Sequence, residues 1–544
     1  MKHVINENVK HYADFNAFLK GIKDDFGYKD AIRWYNRKGE AFSKTFNELH
    51  DDVFALARYF DQNGLSRKHI AIISENSYYW IVTYLATAIS GGVAVCIDAD
   101  QSEAMINQLL KQVHVSAAFI SKANGDLAYH EEELKMNIPF YLMEGSYKNL
   151  KNVSQLINES DDQPLNVELD ANQTASIVFT SGTTGLSKPV MLSHRALLCN
   201  GREAIAYVEA GPVVFTSLPL CHTYGMTCAG IATLGRGATL VLNGNLKTVM
   251  RDLQNSNAYS MLTVPLMVEA IHNQLWLSAK QNHKDEALKK ALKISRLRRQ
   301  VGMKRPIKEL EAIKKQIMGD LRVIICGGAH MSKDIAEEFE ILGVTMLQGY
   351  GITECSPLVA VNGNHACKLS SVGLVLPSCE VKIVDEEIYV KGVNLMNGYY
   401  GMPEETEAVM EDGWFKTGDL GQFDKDGFLY ITGRKKNLIV FKNGKKVSPE
   451  SIEEKLMQIP LVKDVVIYGA ASGLSADDVK LAASIFPDPV ASASMSSYEI
   501  LESLHHEINL INRTLPLYQQ VQMINIRDDE FEKTSMQKIK RHLV

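Results

Sequence analysis

Short β-branched and aliphatic runs recur along the chain at 69–73, 93–97, 117–120, 176–179, 213–216, 239–241, 260–264 and 322–326. Stretches with apolar residues at helical spacing separate them, for example 46–61 and 105–113. This alternation predicts an α/β protein whose large N-terminal domain is multilayered, with mostly parallel sheets. No repeat or low-complexity tract interrupts it. From Asn76 to Ile97 there is no charged residue, a run long enough to cross a bilayer. Gly91-Gly92 splits it, so 78–88 is predicted as a buried helix and 93–97 as a strand, not as a membrane span.

Two regions stand apart. Residues 280–315 carry 13 Lys/Arg against 4 Asp/Glu. Apolar positions at Ala287, Ala291, Ile294 and Val301, then Ile307, Leu310, Ile313 and Ile317, predict two amphipathic helices broken at Pro306. Their basic faces are either solvated or approach an anionic membrane surface. After Asp419, turn signals cluster at Gly421, Asp424-Lys425-Asp426-Gly427 and Thr432-Gly433, and a new α/β pattern begins. Ser448-Pro449-Glu450 reads as a helix start, with Ser as N-cap and Pro at the first helical position. Helix 450–458 then leads to strands 465–468 and 481–486. The predicted division is an N-terminal domain, 1–433, and a small α+β C-terminal domain, 434–544.

Composition narrows the class. The 544 residues are 46% apolar and 22% charged, as in soluble globular proteins. Lys+Arg at 58 against Asp+Glu at 64 gives −6, too mild for a nucleic-acid binder. Eight cysteines show no C-x-x-C pair, and the N-terminus shows no secretory pattern. The expected location is cytoplasmic, with peripheral membrane contact through 280–315.

The chemistry begins at Ile177-Val178-Phe179-Thr180-Ser181-Gly182-Thr183-Thr184-Gly185-Leu186-Ser187-Lys188. Glycines let backbone N–H groups approach a phosphate, hydroxyls add donors and Lys188 adds charge. It is not a Walker loop, because Lys188 does not directly follow a glycine and a strand pattern comes next. A plain β-turn is the ordinary alternative.

Further segments follow in a set order: Leu218-Pro219-Leu220-Cys221-His222-Thr223-Tyr224-Gly225; Gly327-Gly328-Ala329; Gln348-Gly349-Tyr350-Gly351-Ile352-Thr353-Glu354; Trp414-Phe415-Lys416-Thr417-Gly418-Asp419. Then come Gly433-Arg434-Lys435-Lys436-Asn437, Asn443-Gly444-Lys445-Lys446-Val447 and Lys533-Thr534-Ser535-Met536-Gln537-Lys538-Ile539-Lys540-Arg541. Singly, each has a bland reading: Glu354 as a surface carboxylate, Asp419 as a turn residue, His222 as a core histidine, Lys538 as one lysine of a basic tail. In this order they resemble the adenylate-forming superfamily over nearly the whole chain, most closely the bacterial long-chain fatty acyl-CoA synthetases.

The resemblance implies the adenylate-forming fold and a two-step reaction. A carboxylate attacks the α-phosphate of ATP to give acyl-AMP and pyrophosphate, and a thiol then takes the acyl group. Positive charge and N–H donors must offset the repulsion between carboxylate and polyphosphate. By resemblance, Glu354 and Thr184 ligate Mg²⁺, and Thr180, Ser181, Gly182, Thr183, Thr184, Gly185 and Lys188 cradle phosphates. Gly327, Gly328 and Ala329 contact adenine; Gln348, Gly349, Tyr350, Gly351 and Thr353 complete the nucleotide site. Asp419 accepts the ribose hydroxyls and Arg434 holds the ribose–phosphate edge. Lys538, on the mobile C-terminal domain, bridges the carboxylate and α-phosphate. His222, Gly225, Met226 and Cys228 line the acyl pocket, Lys436 is the hinge, and Gly444 flanks the thiol tunnel.

The pattern has departures. The loop ends Ser187-Lys188-Pro189 where Pro-Lys-Gly is usual, Lys436 stands at a hinge that is most often Asp, Gln537 replaces a Gly, and Glu386-Glu387-Ile388 reduces a Gly-Glu-Leu motif. None removes a charged catalytic residue. No acid lies between Pro219 and Leu234 to hold an amino group, and 225–232 is small and apolar. At ~0.8 kcal/mol per methylene, ~12 carbons contribute about 10 kcal/mol, so a greasy pocket needs no polar recognition. The expected substrate is a medium- to long-chain fatty acid, with another hydrophobic or aryl acid as the alternative. The expected acceptor is CoA, with the phosphopantetheine arm of an acyl carrier protein as the alternative. A non-catalytic binder and an oxygen-using luciferase-like enzyme are the remaining classes.

Overall fold

The computed structural model describes the chain apart from residues 1, 6–8, 130–135, 181–186, 304, 330, 442–444, 472–478 and 534–538. The chain forms two compact units, one of 1–381, 390–415 and 426–428, the other of 382–389, 416–425 and 429–544.

The larger unit holds two sheets with parallel centres. A nine-stranded sheet runs Leu374–Val375, Leu358–Val361, Thr345–Gly351, Val323–Cys326, Ser260–Thr263, Val213–Thr216, Thr239–Leu242, Asp30–Tyr35, Ala41–Thr45. Its middle six strands are parallel, with antiparallel strands at both edges. A seven-stranded sheet runs Gly398–Tyr399, Lys188–Ser193, Thr174–Thr180, Val93–Ile97, His69–Ile73, Ala117–Ile120, Phe140–Leu142. Its last five strands are parallel. Strands buried on both faces read as unbroken apolar runs, which is why 93–97 and 323–326 show no alternation. Helix Tyr78–Ile89 is buried almost throughout, capped by Ser77 accepting from the Trp80 amide at 3.1 Å. Among the described residues no helix is long and apolar enough to cross a membrane.

The basic segment forms helices Asp285–Gln300 and Lys308–Met318 on either side of Pro306. The inward face of the first differs from the expected stripe. Leu288, Leu292 and Ser295 are buried, while Ile294 and Val301, together with Leu297, are exposed by 52%, 72% and 57%. The helix carries two apolar stripes, and the core takes the one with two leucines. In the second helix Lys314 is buried and donates to the Leu321 carbonyl at 3.1 Å, so not every lysine of the segment faces water.

In the smaller unit, strands Val462–Ala471, Val479–Pro487 and Met523–Ile526 pack with helices Pro449–Leu456 and Ser497–Asn512 around Ile452, Leu456, Val465, Ile485 and Leu504. The units do not part at 433/434. Residues 419–423 pair antiparallel with 429–434, so that ladder keeps both stretches together. For the same reason Gly421 and Thr432-Gly433 are strand positions, and only 424–427 turns. Ser448 occupies the N-cap position, but its hydroxyl donates to Glu450 at 2.7 Å instead of capping the helix.

Candidate active site

In open α/β sheets ligands bind beyond the carboxyl ends of the parallel strands. The expected residues of the larger unit gather at such ends. Thr180 closes strand Thr174–Thr180, His222 follows Val213–Thr216, Gly327 follows Val323–Cys326, and Gln348 to Gly351 end Thr345–Gly351. Ser181, Gly182, Thr183, Thr184 and Gly185 lie outside the described residues, as do Gly444 and Lys538.

Glu354 sits on a short 3₁₀ turn, Thr353–Cys355, and Tyr399 donates its phenol to Glu354 Oε1 at 2.9 Å. Burial, and secondarily the Glu354 charge, push the Tyr399 phenol well above its ordinary range, so it remains a donor. Lys188 Nζ lies 4.8 Å from the centre of the Tyr399 ring, as a cation over a π face. Pairing of Phe179 with Pro189 and of Tyr399 with Val190 places Lys188 there. Pro189 brings no N–H, but its carbonyl still joins the ladder, accepting from the Tyr400 amide at 2.8 Å. A carboxylate, a phenol and an ammonium thus sit together at the ends of these strands.

Two buried asparagines hold the chain after Glu354. Asn200 donates to the Leu358 carbonyl at 2.8 Å and accepts from the Leu358 amide at 3.0 Å; Asn394 donates to the Cys355 carbonyl at 3.2 Å. Sequence reasoning assigned neither, nor Tyr399. The available signal for Asn200 was a lone amide beside the apolar run 196–199 of helix His194–Ala206.

Helix Tyr224–Ile231 is a π-helix, a form concentrated at functional sites. Gly225, Met226 and Cys228 are buried in it, and burial alone pushes the Cys228 thiol up to about 12. A side chain at Gly225 would meet the Pro219 carbonyl at 2.3 Å, so glycine is required there. Tyr224 Oη lies 3.0 Å from the Ile325 carbonyl and 3.3 Å from that of Thr263, and its ring lies beside Gly327. This wedge ties the expected acyl side to the expected adenine side. Gly328 has φ +87°, the left-handed turn that a glycine permits. Ala329 beside it is exposed, and Gly349 and Thr353 are half-buried. The Gln348 side chain turns to the Leu369 carbonyl, and its own carbonyl accepts from the Asn362 amide. Both contacts hold the loop 362–369 against this strand end.

In the smaller unit Asp419 and Arg434 are register partners, with Arg434 Nε 3.1 Å from Asp419 Oδ1. Asp419 is buried, and its amide donates to the Thr417 hydroxyl at 3.0 Å. Glu387, from the reduced motif, is buried between Lys435 Nζ at 2.6 Å and the Gly418 amide at 3.1 Å, bracing the same turn. Burial, then the Arg434 charge, lower the Lys436 ammonium.

Glu354 is the only described member of the expected magnesium pair. A partly exposed, oriented carboxylate suits a hard cation that takes one protein oxygen and fills its shell with phosphate and water oxygens. Residues 24–400 match the model of the AMP-binding enzymes and 436–544 that of the AMP-binding enzyme C-terminal domain. The chain belongs to the AMP-binding enzyme family.

A long-chain-fatty-acid–CoA ligase of Salmonella typhimurium is 32% identical over 337 residues, covering 58% of this chain and 53% of the relative. The chain therefore spans about half the length of that relative. A Bacillus subtilis protein of the same name is 25% identical over 522 residues, 86% of this chain and 85% of its own. The o-succinylbenzoate CoA synthetase of Bacillus subtilis, solved with its acyl-adenylate intermediate, superposes with a TM-score of 0.75 at 20% identity. It covers 100% of this chain and 98% of its own. That likeness establishes the adenylate-forming fold.

Proposed function

We propose that the protein is an acid–thiol ligase that converts a carboxylic acid to acyl-AMP with ATP and passes the acyl group to the thiol of CoA. The observation that carries this reading is Glu354, oriented by Tyr399 beside Lys188 at the strand ends. The buried Asp419 paired with Arg434 supports a ribose site. Glu354, with Thr184, would hold Mg²⁺, which neutralises polyphosphate charge during adenylation. The 181–185 backbone would cradle the phosphates, Gly327, Gly328 and Ala329 would face adenine, and Lys538 would orient the reacting groups. The small domain would pivot at Lys436 between the half-reactions and present Gly444 to pantetheine.

The acid we infer is a medium- to long-chain fatty acid. The buried, uncharged segment 225–232 and the long-chain-fatty-acid–CoA ligases among the sequence relatives favour it; the aromatic acid of the structural neighbour keeps aryl acids as the second reading. A mass spectrum of products from mixed fatty and aryl acids with ATP and CoA tests the reading. A fatty acyl-CoA as main product supports it, and release of pyrophosphate with no acyl-CoA overturns the acceptor. Replacing CoA with an acyl carrier protein tests the alternative acceptor directly.

Long-chain acids reside in membranes. Ile294, Leu297 and Val301 form an exposed stripe among Lys290, Lys293 and Arg298, which supports peripheral contact with an anionic bilayer.

A further inference from the structure

We propose that Asp98, Cys221 and His222 form a binding site for a zinc-class divalent cation. Asp98 follows strand Val93–Ile97 of the seven-stranded sheet, and Cys221-His222 follow Val213–Thr216 of the nine-stranded sheet. Each offers one ligand atom, and the three atoms lie within 4.8 Å of one another. Among the described residues no other three His, Cys, Asp or Glu side chains come together in this way.

The donors decide which cation fits. A thiolate, an imidazole and a carboxylate form a mixed sulfur, nitrogen and oxygen set, which zinc accepts in tetrahedral geometry. Magnesium and calcium take oxygen ligands, so the cation associated with ATP is a poor occupant. Zinc ligands sit roughly 3.5 Å from one another, a closure that side-chain rotation can supply.

A second observation points the same way. Asp98 Oδ1 accepts from the Asp100 amide at 3.0 Å, but Oδ2 is buried without a hydrogen-bond partner. A buried carboxylate oxygen lacking a donor is costly, and a bound cation removes that cost. The scaffold is already fixed. Asn76 accepts from the Leu220 amide at 2.8 Å and donates to the Leu218 carbonyl at 2.8 Å, which clamps the segment leading to Cys221. His222 begins the turn into the π-helix, its carbonyl accepting from the Met226 amide at 3.0 Å.

Binding exchanges the Cys221 thiol proton, released to solvent, for a metal–sulfur bond; no electron moves. Three protein ligands leave one position for water or for an oxygen of another molecule. An occupied site withdraws His222 from the acyl pocket, so the cation would act as a reversible brake competitive with the acid. Only this consequence rests on the acyl-site reading of His222; the binding does not.

Titration of the purified full chain with Co²⁺ as a spectroscopic stand-in tests the site. One equivalent should bind with thiolate-to-cobalt charge transfer and tetrahedral d–d bands, and Zn²⁺ should displace it. Cys221→Ser should abolish the charge-transfer band, and Asp98→Asn should weaken binding at least tenfold. Cys221 is buried and alkylates only through local opening, so stoichiometric Zn²⁺ should slow that alkylation in the unaltered protein over an exposure long enough to label it without zinc, read by peptide mass spectrometry. Absence of the band, its survival in Cys221→Ser, or alkylation of Cys221 unchanged by Zn²⁺ would overturn the proposal. Binding without competition against the acid would instead uphold the site and remove His222 from the acyl pocket.

Discussion

Arg434 Nε lies 3.1 Å from Asp419 Oδ1, and the two residues face each other directly across an antiparallel ladder. Asp419 is buried and Arg434 half-exposed, so the carboxylate is fixed by the sheet while the guanidinium reaches toward solvent. Such a pair can accept hydroxyls at one end and neutralise phosphate at the other. Asp419→Asn keeps the shape and removes the charge. Charge-assisted hydrogen bonds contribute about 1.5–3 kcal/mol, so ATP–pyrophosphate exchange should fall roughly 10- to 100-fold, mostly through KM for ATP. An unchanged KM would remove Asp419 from the ribose site.

Tyr399→Phe deletes the donor that orients Glu354 at 2.9 Å and leaves the ring under Lys188. The Mg²⁺ concentration giving half-maximal adenylation should rise, and kcat should drop about tenfold. A magnesium titration that overlays the unaltered enzyme would show that Glu354 does not depend on this contact.

On the proposed function Lys538→Ala should abolish acyl-AMP formation and spare thioester formation from supplied acyl-AMP, because the lysine would orient the first step only. Equal loss in both half-reactions, each measured separately, would refute that role. Gly444→Leu should do the reverse by filling the path of the thiol.

His194 is fully buried and its Nδ1 accepts from the Phe15 amide at 3.4 Å. Burial lowers it from 6.5 to about 4, against the weaker opposing charges of Asp14 and Asp170. In this window the unfolded chain binds the proton that the folded chain refuses, so stability rises with pH. It is complete above about 6.5 and is lost as pH falls toward about 4. The loss amounts to about 3 kcal/mol at most. Denaturant unfolding of the unaltered protein across this range should show the slope, and His194→Gln should flatten it.

Ile294→Glu combined with Leu297→Glu changes only the exposed stripe of helix Asp285–Gln300. It should abolish flotation with anionic vesicles and leave turnover on a soluble short-chain acid within about twofold. Retained flotation would place any membrane contact elsewhere.

Two central parallel strands were legible to the residue, whereas Asp30–Tyr35, Ala41–Thr45 and Thr345–Gly351 were not read as strands at all. Val93–Ile97 and Ala117–Ile120 are apolar runs between turn signals, which few other structures fit. The outward stripe of Asp285–Gln300 was not legible, because periodicity finds two apolar faces and only packing decides which turns inward. Asp419 and Arg434 were assigned to different domains, since a division at Gly433 looked natural until their strands paired. Tyr399 carried no signal: Glu354 lies 45 residues earlier, and no local spacing connects them. Tyr224 stood within a quoted motif, yet its role as a wedge between two strands depends on the register of the nine-stranded sheet.

The ladder joining 419–423 to 429–434 also bears on how such a protein can be recombined. The hydrophobic core of the smaller unit draws on residues from 439 to 526, so a segment starting at 436 carries a complete core with it. The Asp419–Arg434 pair stays behind at that junction, and Lys538 leaves. Exchange of genetic segments there would join the lysine of one enzyme to the Asp419–Arg434 pair of another. The stretch inherited as a piece and the stretch proposed to recognise the nucleotide are therefore different lengths of chain.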